Sequence, residues 1–151
     1  MSRRSLAHPT GISDEPRIGA LLRYAWQRVR ERIYVGVRKD GYSDLNRAHV
    51  SVFRYEGLDG RRPSQLAESL QITKQSVNDL LRYLEKHGYL ESVPDTKDKR
   101  ARLMRLTPRG RRLDSVVRTH AAAAERELAQ ELGEPAFHAL YDMLLKIRRQ
   151  G

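Results

Sequence analysis

The sequence predicts a mainly α-helical fold carrying one small β-hairpin. Two observations support that class. Apolar residues recur at three- and four-residue spacing over most of the chain, as the face of a 3.6-residue helix requires. The exception is the pair YLESVP (89–94) and ARLMRL (101–106), which reads as two strands around the turn-rich DTKDKR.

The elements follow in order. Residues 1–15 hold Ser, Pro, Gly, Thr and charge with no apolar period, which predicts a flexible arm. Residues 16–151 read as a single domain. Ile18, Leu21, Leu22, Ala25, Trp26, Val29, Ile33 and Val37 predict a long amphipathic helix over 16–38, with Pro16 in its first turn. KDGYSDL breaks it. A second helix is expected over 45–56, capped by Asp44 and ended by Gly57. PSQLAESL then offers Ser64 as an N-cap, with Glu68 one place beyond the ideal capping-box position. After QIT, Thr73 caps KQSVNDLLRYLEK, and Gly88 follows as a C′ glycine. Two helices joined by so short a turn form a helix-turn-helix signature.

In the second of these helices Val77, Leu80, Leu81 and Leu84 make one apolar stripe. Lys74, Gln75, Asn78 and Arg82 fall opposite it. These residue types reach base edges and phosphates. Beyond the hairpin, Thr107 caps a helix over 108–132 with Pro108 at its first position. The Ala run at 121–124 suits a close helix–helix contact. Gly133 ends that helix, and Phe137, Leu140, Tyr141, Leu144 and Ile147 mark a last one over 135–149.

Charge narrows the class of partner. The chain has 29 Lys+Arg against 19 Asp+Glu, a net charge of +10. Residues 61–112 alone carry 13 basic and 6 acidic side chains, so most of the excess sits in one third of the sequence. Such a patch fits a polyanion. Lys97, Lys99 and Arg100 crowd the hairpin tip, where cations repel one another unless something negative receives them. Asp95 and Asp98 brace the loop, and Asp98 is placed to direct the Arg100 guanidinium. A hairpin of this kind beside a helix-turn-helix is a wing, and Arg suits the narrow minor groove of A·T-rich DNA.

The order of elements and several particular residues resemble the MarR family of bacterial winged-helix transcriptional regulators. The family's wing motif stands here as Asp98-Lys99-Arg100, then Leu106-Thr107, then Gly110. LAESLQITKQSVNDLLRYLEKHGYLESVPD looks like the family's helix-turn-helix and first wing strand. The likeness spans about 18–149. It implies a winged helix-turn-helix lobe over 44–107, with helices 16–38 and 108–149 joining two copies into a homodimer on a palindromic operator in double-stranded DNA. It also implies DNA contacts from Ser64, Thr73, Lys74, Gln75, Ser76, Asn78 and Arg82, and from Lys97, Lys99 and Arg100 in the wing. Many members lose DNA affinity on binding a small aromatic or anionic effector beside the dimerisation helices. Trp26, Tyr34, His49, Phe53 and Tyr55 are the candidates here; core or interface packing is the competing account of each.

Other classes fare worse. The chain has no cysteine, so disulfides, thiolate metal sites and thiol sensing are out. His8, His49, His87, His120 and His138 lack paired ligand spacing. No G-x-S-x-G or Gly-rich strand-to-helix turn is present, so neither an enzyme nor a cofactor is expected. No apolar run follows the basic MSRRS and none approaches membrane-spanning length, which predicts a cytoplasmic protein without membrane contact. The expected function is a transcriptional regulator, in this family most often a repressor. The alternative is a winged-helix protein for DNA packaging or protein contact.

Overall fold

The computed structural model describes residues 15–54 and 57–150. The elements run α1 (Ile18–Lys39), α2 (Arg47–Val52), α3 (Pro63–Leu70), α4 (Lys74–Lys86), β1 (Leu90–Pro94), β2 (Arg102–Leu106), α5 (Pro108–Leu132) and α6 (Glu134–Gln150). This is the mainly helical, winged helix-turn-helix architecture expected. All but Glu15 of the expected arm lies outside the described residues.

Local chemistry explains most boundaries. Thr73 caps α4 by accepting the Ser76 N–H at 3.0 Å, and Gly88 follows its end at φ 76°. Thr107 caps α5 through the Gly110 N–H at 3.0 Å and donates its hydroxyl to the Gly88 carbonyl at 2.6 Å. One side chain therefore starts a helix and ties it to the end of α4. Gly133, at φ 83°, separates α5 from α6.

Two expected caps are corrected. Asn46, not Asp44, caps α2: it accepts the His49 N–H at 3.0 Å while His49 Nδ1 accepts the Asn46 N–H at 3.1 Å. Asp44 is turned instead to the Tyr89 hydroxyl, 3.0 Å from each carboxylate oxygen. The reciprocal box starts α2 later than expected, and the helix ends at Val52 rather than running on to 56. Ser64 is not a cap either. Pro63 takes the first helical position, which makes Arg62 the N-cap, and Gln65 Oε1 accepts its N–H at 3.0 Å.

The core is the lobe enclosed by α2, α3, α4 and the hairpin, closed by the middle of α5 and the end of α1. Leu66, Val77, Leu81, Leu84, Met104 and Leu113 are fully buried there, as is Tyr89. The strands pair antiparallel from Leu90↔Leu106 to Pro94↔Arg102. Arg61 adds an isolated bridge to Met104, so the wing has a third, stub-like edge drawn from the turn before α3. Asp59 secures that edge by accepting the Leu106 N–H at 2.8 Å.

Two glycines mark close approaches. A Cβ on Gly110 would lie 2.0 Å from the Tyr89 carbonyl oxygen, so only glycine lets the first turn of α5 rest on the root of the wing. A Cβ on Gly36 would lie 2.2 Å from the His120 ring, where α1 meets α5. His120 Nε2 is 2.7 Å from Asp40 Oδ2, and Arg32 meets Glu127 at 2.8 Å along the same helix pair. Ala124 is buried in this contact and Ala122 is not, so the Ala run serves helix packing on one side only.

Candidate nucleic-acid interface

The recognition face is built on α4. Its buried stripe of Val77, Leu81 and Leu84 sets the rotation of the helix, which leaves Thr73, Lys74, Gln75, Ser76 and Arg82 exposed. Arg82 meets Asp79 at 3.1 Å, but both side chains are largely in solvent, so the pair leaves Arg82 easily redirected. Asn78 lies on the same face, half-buried. Its Oδ1 accepts from Arg102 Nη2 at 3.3 Å, a link from the wing strand to the recognition helix. Ser64 is exposed in the first turn of α3.

The wing tip is ordered by its two aspartates, each through a different mechanism. Asp95 is 6% exposed. Its Oδ1 accepts the Lys97 N–H at 2.9 Å, and its Oδ2 receives Arg62 Nη2 at 2.5 Å and Nε at 2.9 Å. The Lys97 amide, followed by the Arg62 guanidinium, holds its carboxyl below the usual carboxylate range. Asp98 accepts the Arg100 N–H at 3.1 Å, while its own carbonyl accepts from Ala101 at 2.9 Å. The expected brace is thus corrected in kind: Asp98 fixes the Arg100 backbone, and among the described residues it forms no ion pair with that guanidinium. Lys97, Lys99 and Arg100 all remain exposed.

The supporting residues include several that sequence reasoning did not single out. Arg102 also donates from Nη1 to Ser92 Oγ at 3.1 Å and meets Glu85 at 3.4 Å. Arg109 crosses the Tyr89 ring at 4.2 Å and donates to the His87 carbonyl at 2.5 Å. Buried beside Asp44, the Tyr89 hydroxyl is pushed up to about 12. The arginines of β2 were visible in the sequence; the partners of Arg102, 10 to 24 positions away, were not.

The effector candidates divide. Trp26 borders two clefts. One, of about 470 Å³, lies between α1, α2 and the α3–α4 turn; the other, of about 440 Å³, lies between α1, the end of α2 and α5. Phe53 joins Trp26 in the second, and Arg54 crosses the Trp26 ring at 3.8 Å. Tyr34 and His49 are buried and line neither cleft. Tyr34 lies under Arg47 at 4.5 Å, and His49 stacks on Tyr83 at 4.0 Å. Tyr55 lies outside the described residues. Among the four described, Trp26 and Phe53 share a cavity, and Tyr34 and His49 stand apart from it.

No group of acidic, His or Cys side chains among the described residues could hold a metal. No helix among them is long and apolar enough to cross a membrane.

A winged helix-turn-helix with an exposed cationic wing and a polar recognition face is a DNA-binding module of the transcription-factor class. Known proteins agree. The MarR family model matches residues 43–101, from just before α2 to the end of the wing loop, short of β2. The HTH-type transcriptional regulator PetP of Rhodobacter capsulatus is 31% identical over 117 residues, 67% of this chain and 70% of PetP. The chain belongs to the MarR family of DNA-binding transcriptional regulators. The structure of the transcriptional repressor CouR bound to a 23-mer DNA duplex is similar at TM-score 0.71 and 27% identity, covering 87% of this chain and 92% of CouR. Apo MarR from E. coli shares the fold at TM-score 0.71 and 19% identity, over 89% of this chain and 98% of MarR.

Proposed function

We propose that the protein is a homodimeric repressor of nearby genes in the bacterial cytoplasm, bound to an imperfectly palindromic operator and released by a small aromatic or anionic ligand. The observation that carries the dimer is the apolar surface left open at both chain ends. Ile18, Leu21 and Leu22 on α1, and Tyr141, Leu144 and Ile147 on α6, are all exposed, Ile147 at 63%. A monomer rarely leaves so many large apolar side chains on two helix faces in water. In this reading residues 16–151 form one domain, with 44–107 as the DNA-binding lobe between dimerisation helices 16–38 and 108–149. Thr73, Lys74, Gln75, Ser76, Asn78 and Arg82 face the major groove, and Lys97, Lys99 and Arg100 reach the minor groove.

CouR, similar over most of this chain, is a repressor by name and was solved on a DNA duplex, which supports the repressor reading. The ligand reading rests on the cleft of about 440 Å³ shared by Trp26 and Phe53, within the usual size range of small-molecule pockets. A ligand there acts only by favouring one arrangement of the two DNA-binding lobes over another.

Footprinting on the region upstream of the protein's own gene, with sedimentation at micromolar concentration, tests the reading. A dimer mass and a discrete protected palindrome are expected. A monomer, or protection without sequence preference, would favour DNA packaging or protein contact instead. A thermal-shift screen with aromatic acids tests release: hits that stabilise the protein but leave operator affinity unchanged would remove the effector role.

A further inference from the structure

The sharpest unassigned feature of the interface is the bond between Arg102 and Asn78, which rests on the proposed role of α4 in the major groove. A guanidinium has five N–H donors and no acceptor. The amide atom that faces it must therefore be the oxygen, as found for Oδ1 at 3.3 Å from Nη2. The guanidinium is not free to follow the amide around. Its other nitrogen is held by Ser92 Oγ at 3.1 Å and by Glu85 at 3.4 Å, on β1 and α4. Asn78 Nδ2 has no protein partner among the described residues, and it shares the face of Lys74 and Arg82.

A freely rotating asparagine pairs with adenine in two bonds, accepting from N6 and donating to N7. That mode needs the amide oxygen at the base. With the oxygen turned to Arg102, only the two hydrogens of Nδ2 remain to face the groove. Of the four bases, guanine alone presents two adjacent major-groove acceptors, N7 and O6. We infer that Arg102 is a specificity-determining positioning residue: it fixes Asn78 as a donor, so that each half-site carries a guanine where adenine would otherwise pair with this residue.

The experiment selects binding sites from a randomised 24-base-pair duplex library with the full chain, then repeats the selection with Asn78→Ala, Arg102→Ala and Arg102→Lys. The Asn78→Ala comparison identifies the base pair that this residue reads. The wild type is expected to prefer guanine over adenine there by about tenfold. Arg102→Ala should relax that one position toward adenine and leave the others unchanged. Arg102→Lys, which keeps a donor, should restore part of the guanine preference.

A second arm needs no variant: replacing the selected guanine by 7-deazaguanine removes the N7 acceptor and should weaken wild-type binding roughly fivefold or more. Adenine selected by the wild type at that position, or full affinity for the 7-deaza duplex, would overturn the inference. So would an Arg102→Ala protein that loses affinity equally for every sequence, which would make Arg102 a plain phosphate contact. In those outcomes Asn78→Ala still changes one base preference, so the role of α4 survives. If Asn78→Ala changes none, the role of Asn78 in base reading fails and the inference with it.

Discussion

Arg62 and Asp95 join the start of the helix-turn-helix to the tip of the wing, with Nη2 and Nε at 2.5 and 2.9 Å from one carboxylate oxygen. The other oxygen holds the Lys97 amide at 2.9 Å. The pair therefore couples the two parts that must meet one duplex together. Arg62→Ala should leave the α-helical content unchanged and loosen the wing. Specific affinity should fall by roughly tenfold, because one or two loop residues must then be re-ordered on binding. Fluorescence anisotropy on the footprinted operator measures the drop. Hydrogen exchange at 95–101 should quicken in the same variant, and unchanged exchange would show that the wing orders itself without Arg62.

Gly110→Ala should be the most damaging single methyl in the lobe. Its Cβ would meet a backbone oxygen at 2.0 Å, which cannot rotate away. Overpacking of this kind costs about 1–3 kcal/mol, or roughly 3–10 °C in Tm for a chain of this size. Gly36→Ala should be milder, since the obstacle is the His120 side chain. Moving that ring breaks its pairing with Asp40 rather than shifting backbone. Thermal melts of the two variants, compared with wild type, check the order.

What could be read in the sequence was what short-range chemistry determines. As helix caps and starters, Thr73, Thr107, Pro108 and Gly88 work within four positions of themselves, and each does there what its type and place imply. Asp44 and Ser64 misled because capping depends on which residue the incoming chain aims along the helix axis. Pro63 settles that for α3, and the Asn46–His49 box settles it for α2. The stub at Arg61 and the Arg62–Asp95 and Arg102–Asn78 bonds join residues 24 to 43 positions apart, which no local pattern encodes. Burial of the aromatic residues was not legible either: Tyr34 on α1 and His49 on α2 pack into the core, while Trp26 on α1 stays open, a difference set by tertiary packing.

His49 makes stability depend on pH. Burial, reinforced by nearby His87 and opposed by Asp44, holds its pKa below the ordinary 6.5. The unfolded chain then takes up a proton more readily than the folded one, so stability is full above about pH 6.5 and declines as pH falls below it. Protonation would also place a hydrogen on Nδ1, against the Asn46 N–H that it accepts at 3.1 Å. His49→Gln keeps an acceptor suited to this capping-box position and removes the titration. Between pH 7.5 and 5.5 the wild-type Tm should drop more than that of the variant. Parallel curves would place the pH dependence elsewhere.

Asp98 separates a built wing from a diffuse basic surface. Arg100→Ala should leave fold and mass intact, since the side chain is exposed, and cut specific affinity sharply. Lys97→Ala and Lys99→Ala should weaken all sequences more evenly, each lowering the salt slope by about one unit for every phosphate that a wing no longer neutralises. Removing the negative charge of Asp98 should tighten binding if charge alone mattered. Its bond is to the Arg100 backbone at 3.1 Å, however, so Asp98→Ala should loosen the turn and weaken binding. Asp98→Asn keeps an oxygen acceptor for that N–H while removing the charge, and it should bind as tightly as wild type or more so. The ordering Asn at or above Asp, and Asp above Ala, is specific to a backbone brace. An ion-pair brace would place Asn below Asp, and a basic smear would place both substitutions above it. Three anisotropy titrations at one salt concentration decide among them.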